Sequence, residues 1–168
     1  DMAAALAPLE VEGDPARLAA LAAGSVGEAL RLAGQDGLSR YADLVALFQT
    51  LPRMDRSRAA ALAETAGGRP GPDGDPFDLT MTLLDRFLAR AARAGLMGPP
   101  LPEAAGGEAA LLARLSPDEA AARRWAEAQA ELSARARRGR AVNLDPAALV
   151  MDMLMTLAQT GADAPARV

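Results

Sequence analysis

The chain has 168 residues, no cysteine and no histidine, and a net charge of −4 in which arginine supplies every positive charge. Disulfides, thiolate chemistry and the imidazole of most general-base and metal sites are therefore excluded. The acidic balance argues against nucleic-acid binding by bulk electrostatics and leaves only a local basic patch open. A composition 51% apolar and only 3% aromatic, carried by alanine and leucine, predicts an all-α fold with enough material for a core.

No apolar run approaches the roughly 20 residues that span a bilayer, and the first residues lack a basic leader, so a cytoplasmic protein with no membrane partner is expected. The opening stretch DMAAALAPL reads as a helix met close to its start, which implies a piece of a longer protein. Three short helices are predicted at about Met2 to Pro8, Pro15 to Ala23 and Val26 to Ala33, with Leu6, Leu18, Leu21, Leu30 and Leu32 sharing a small core. Between the last two, Gly24 ends one helix and Ser25 caps the next, making a sharp corner. Gly34 to Gly37 closes this three-helix module, residues 1–37, and a larger helical domain, residues 38–168, follows.

In that second region Ser39 to Leu51 places Tyr41, Leu44, Val45, Phe48 and Leu51 on one helical face. Asp55 caps a helix running to Ala66, and the Gly/Pro-rich stretch Gly67 to Pro76 is a loop. Phe77 to Leu96 reads as an amphipathic helix with Leu79, Leu83, Leu84, Phe87, Leu88 and Ala91 inward and Arg86, Arg90 and Arg93 toward solvent. After a break at Gly98 to Gly107 comes a short helix, Glu108 to Leu115. Ser116-Pro117-Asp118-Glu119 then fits a capping box opening the longest helix, Pro117 to Arg138, which ends at Gly139 and pairs Glu131 with Arg135. Aspartate–proline pairs at Asp14, Asp75 and Asp145 mark further helix starts.

The last helix, Pro146 to Thr160, is apolar nearly all round, with only Asp152, Thr156 and Gln159 as a polar stripe. Such a helix is central to its bundle or shared with a partner. Met151 and Met155 lie one turn apart, away from the line of Leu149, Met153 and Leu157, and with Val150 and Leu154 they form the predicted partner-binding face. Arg135, Arg137, Arg138 and Arg140 form the densest basic cluster; they offset a helix dipole, or they contact a phosphate or a partner. Trp125 and Tyr41 are expected in the core. Asp73, Asp75 and Asp78 superficially suit a hard cation but lack the glycine and the distal glutamate of a calcium loop, so no metal is expected. No Ser-His-Asp, Cys-His, paired-carboxylate or phosphate-loop arrangement can be assembled, so no catalytic residue and no small-molecule substrate is predicted.

Two stretches carry a resemblance. LAALAAGSVGEAL, Leu18 to Leu30, is similar to the lid of clamp-loader AAA+ subunits, in which a Gly-Ser-Leu-Arg-Asp-Ala-Leu segment supplies the arginine that senses the γ-phosphate. Aligned on Gly24, Ser25, Ala29 and Leu30, that arginine falls on Gly27, which cannot make the charge-assisted contact, so no cofactor is expected. AVNLDPAALVMDML, Ala141 to Leu154, is similar to the closing segment of the delta-prime family of bacterial DNA polymerase III, whose Asn-Leu-Asp turn leads into the final collar helix. The resemblance implies a three-helix lid and a helical collar that assembles with tau/gamma-type ATPase and delta subunits during sliding-clamp loading, touches DNA at most indirectly, and is not itself an enzyme. A tau/gamma-type collar is a second reading within the family, disfavoured by Gly27. A free-standing adaptor that binds a partner helix is the reading from outside it.

Overall fold

The computed structural model describes residues 13–162. Within them the protein is all-α, with eight helices and no strand beyond one isolated bridge between Gly71 and Gly74. The helices are α1 (Pro15–Leu21), α2 (Val26–Gly34), α3 (Gly37–Gln49), α4 (Arg56–Ala66), α5 (Pro76–Met97), α6 (Glu108–Leu115), α7 (Glu119–Ala141) and α8 (Pro146–Ala162). The expected helix at Met2 to Pro8 lies outside the described residues.

Helix starts follow the side-chain chemistry of their caps. The carboxylates of Asp14, Asp55 and Asp75 accept first-turn backbone N–H groups of α1, α4 and α5, and Asp145 accepts from Ala148 at 2.8 Å. One predicted start is displaced. The cap of α7 is Asp118, which accepts from the Ala121 N–H at 2.9 Å, so the capping box on Ser116 does not form. Ser116 instead closes α6, its N–H bonding the Leu112 carbonyl, and its hydroxyl is buried without a partner.

The end of α7 is also displaced. Gly139 does not stop the helix; it sits buried inside it where Leu149 of α8 crosses, and a Cβ there would collide with that leucine. The helix ends at Ala141, and the chain turns away at Asn143, which is left-handed (φ +53), with Asn143 N–H bonding Arg140 O and Leu144 N–H bonding Gly139 O. This paired closure is a Schellman motif with asparagine in the position glycine usually holds.

Helices α5 and α7 form the longest packed pair, and α8 lies against α4 and α7. Where α5 meets the start of α7, Gly95 admits the Asp118 carbonyl, which a Cβ would strike. Phe87 of α5 stacks on Phe48 of α3 (centroids 4.5 Å) and meets the Trp125 ring of α7 edge-on at 6.4 Å. The Trp125 indole N–H donates to Leu115 O at 2.9 Å, so its polar end is satisfied in the core. Arg114 of α6 donates to the Leu51 and Gln49 carbonyls and thereby covers the C-terminal end of α3. One apolar cluster runs from Leu18 through Leu32, Phe48, Phe87 and Trp125 to Ala158, so residues on both sides of position 37 share a core.

Candidate functional site

At the corner after α1, two successive residues are left-handed, Ala23 (φ +50) and Gly24 (φ +92), and the second of these explains the glycine. Ser25 then accepts the Glu28 N–H on its hydroxyl at 3.2 Å and starts α2. Gly27 faces solvent in the first turn, and a Cβ there would meet nothing within 4 Å. The position aligned with a sensor arginine is therefore open but carries no side chain.

The arginine of α2 is committed elsewhere. Arg31 grips the Glu28 carboxylate through Nη2 (2.8 Å) and Nε (2.9 Å), and it also donates to Gln35 and to Thr82 of α5. The hydrogen bonds from Arg31 hold the Glu28 carboxyl below its ordinary range, and the same contacts raise the Arg31 guanidinium. A paired guanidinium of this kind orients a surface groove of Ser25, Glu28, Arg31, Asp85, Arg86 and Ser133 but has little left to offer a phosphate.

The last helix is central, which answers the alternative left open by its apolar circumference. Val150 and Leu154 are fully buried inside this chain, as are Met153 and Leu157, because α4 and α7 both cover α8. Val150 and Leu154 thus have no surface to give a partner, contrary to the expectation from the sequence. Met151 and Met155 keep partial exposure, and Met151 packs on the core edge.

The basic cluster divides into two kinds. Arg135 pairs with Asp152 of α8 rather than with Glu131 one turn away. Arg140 reaches Asp75 at 2.6 Å and Asp78 at 2.5 Å, and its guanidinium lies 5.1 Å from the Phe77 ring centroid. Two of the three aspartates considered for a cation are thus neutralised by arginine. Arg137 and Arg138 are exposed and form no ion pair among the described residues.

Beside them the Asn143-Leu144-Asp145 turn does two local jobs, closing α7 at Asn143 and capping α8 at Asp145. Its apolar residues are displayed: Val142 is 67% and Leu144 53% exposed, at the mouth of an 870 Å³ groove floored by Leu149 and flanked by Arg138 and Asp152. Sequence periodicity could not flag these two residues, since they lie outside any helix stripe.

A buried polar node was not anticipated. Arg90, expected at the surface of α5, is 12% exposed and pairs with Glu108, 1% exposed, at 2.6 and 2.9 Å. Glu108 also accepts the Tyr41 hydroxyl (2.6 Å) and the Ala104 N–H (2.7 Å), while Arg90 donates to Ala20 O of α1 and Pro102 O. Burial first, and then the facing Glu108 charge, push the Tyr41 hydroxyl well above the usual tyrosine range. The carboxylate has four donors and no empty face for a substrate, so the node joins α1, α3, α5 and α6 rather than performing acid–base work.

Among the described residues no three His, Cys, Asp or Glu side chains converge on a metal position, and no helix is long and apolar enough to cross a membrane. No protein-family model, curated protein or solved structure matches this chain.

Proposed function

We propose that this chain is a non-catalytic assembly module of a bacterial clamp loader, the lid and collar portion of a delta-prime subunit, which holds ATPase and delta subunits together while the sliding clamp is loaded. The observation that carries the reading is the Gly24-Ser25 corner. A left-handed turn and a serine cap stand where the resembled lid segment has its Gly-Ser pair, and an open glycine occupies position 27, where the sensor arginine of that segment would stand. Arg31, locked to Glu28, does not substitute for the missing arginine. The module would therefore contribute shape to its ring and leave hydrolysis to neighbouring subunits.

The contact surface fits best at the α7–α8 turn rather than on the buried side of α8. Val142 and Leu144 present apolar area beside a groove, and paired and unpaired arginines stand on its rim. The test is size-exclusion chromatography of the purified chain with and without tau/gamma and delta subunits. Co-migration that is lost in Leu144→Asp, with the melting temperature retained, is the expected result. A chain that ignores both subunits, or that binds ATP saturably at the Ser25 bend, would overturn the reading.

A further inference from the structure

Two exposed charges on α7 find no partner inside the chain. Glu131 and Arg138 stand two helical turns apart on one side of the helix, about 10 Å along its axis. Both are exposed, both line the 870 Å³ groove between α7 and α8, and neither forms an ion pair among the described residues. Arg135 lies between them, but its charge is already met by Asp152 of α8. At the far end of the same groove Val142 and Leu144 hold their side chains in solvent, at 67% and 53% exposure. One turn before Glu131, and lining an adjoining hollow with it, Ala128 offers only a methyl group.

A pattern of one acid and one base on the same helix side is its own complement under a two-fold axis. Laid antiparallel about an axis passing between residues 134 and 135, two copies of α7 bring Glu131 of each opposite Arg138 of the other. The same register sets the exposed Val142 opposite residues 127 and 128 of the second copy, where the small Ala128 leaves room for it. The two Arg135 side chains come closest to the axis, and each is already neutralised by Asp152 of its own chain. The geometry points to a second copy of this chain as the occupant of the α7–α8 groove, in a symmetric pair held by two Glu131–Arg138 ion pairs at its centre and by Val142 and Leu144 at its two ends. Ion pairs at a solvated surface and two small apolar contacts make a weak dimer that dissociates on dilution. This pairing belongs to the free chain and goes beyond the clamp-loader reading, in which ring subunits would compete for the same turn.

The test is sedimentation equilibrium of the intact chain over a wide range of concentration, with no other protein present and with circular dichroism to confirm that each variant is folded. The wild type should dimerise as its concentration rises, and added salt should weaken the dimer. Glu131→Arg and Arg138→Glu should each weaken it about tenfold or more, since by symmetry one substitution turns two attractive pairs into two repulsive ones. Mixing the two single variants should restore association as a heterodimer, and so should both substitutions in one chain. Val142→Asp should weaken the dimer while leaving both charges in place. A chain that stays monomeric at every concentration, a dimer indifferent to both reversals, or single variants that do not recover on mixing would overturn the pairing. Because no clamp-loader subunit takes part, each of these outcomes is read separately from the fate of that reading.

Discussion

Arg90 and Arg140 are the same side chain put to opposite uses. Arg90 is held in the interior, with a carboxylate that has no other cation and two backbone carbonyls that have no other side-chain donor in view. Arg140 sits at the surface with two carboxylates that water can reach, over the edge of the buried Phe77 ring. The difference is the alternative available when the contact breaks. A buried partner is left charged and dry, whereas an exposed partner is simply rehydrated.

The sharpest way to break this contrast is Arg90→Met, which keeps the volume and removes the charge. Glu108 would then stay buried with only the Tyr41 hydroxyl and the Ala104 N–H, and the variant should lose about 3–5 kcal/mol of stability. Chemical denaturation followed by the fluorescence of Trp125, the single tryptophan, measures it. A loss below about 1 kcal/mol would mean that the node is wet in solution and that the two arginines are equivalent.

Tyr41→Phe removes one donor to Glu108 and should cost about 1–2 kcal/mol by the same assay. The wild-type node also carries a pH signature. Because the folded hydroxyl titrates well above the ordinary tyrosine value of about 10, stability is fully present below that pH. Above it the unfolded chain releases its proton first, and stability falls as pH rises. Tyr41 is the only tyrosine in the chain, so tyrosinate absorbance reads the event directly; ionisation near pH 10 with the fold intact would contradict the burial.

These two experiments probe what the sequence conceals. Tyr41, Leu44, Val45 and Phe48 were legible as one face of α3 because burial there follows helical spacing, and Asp14, Asp55 and Asp75 were legible as caps because capping is local. Arg90 was not. Its place beside the apolar stripe of α5 is a surface place until the loop of residues 98–107 and α6 fold over it, and that contact spans 18 residues. Position 139 was misread for a related reason: glycine serves helix ends and close helix crossings alike, and only the approach of Leu149 tells them apart. The serine cap at Ser25 was legible because capping is local, but the helix before it ends at Leu21 rather than at Ala23, and Ala23 takes a left-handed conformation that its residue type does not announce.

At the exposed end of the comparison, Arg140→Ala should cost no more than about 1 kcal/mol, and raising the salt concentration should reduce that figure further. A loss as large as that of Arg90→Met would show that the Asp75–Arg140–Asp78 cluster is a second keystone, tying the start of α5 to the end of α7.

The smallest effect on folding is expected from the double substitution Arg137→Ala and Arg138→Ala, which should change stability by no more than about 0.5 kcal/mol because neither side chain meets a carboxylate in the fold. That neutrality makes the pair the cleanest probe of the basic cluster. Replacing Arg135 or Arg140 would disturb Asp152, Asp75 or Asp78 as well, so a lost interaction could be blamed on a shifted helix end. With Arg137 and Arg138 no such route exists. If the double variant still co-migrates with tau/gamma and delta subunits, the exposed arginines take no part in that contact and, within one chain, only offset the α7 dipole. If co-migration weakens and the wild-type contact is itself salt-sensitive, the charges belong to the interface, where Arg138 lines the same groove as Val142 and Leu144.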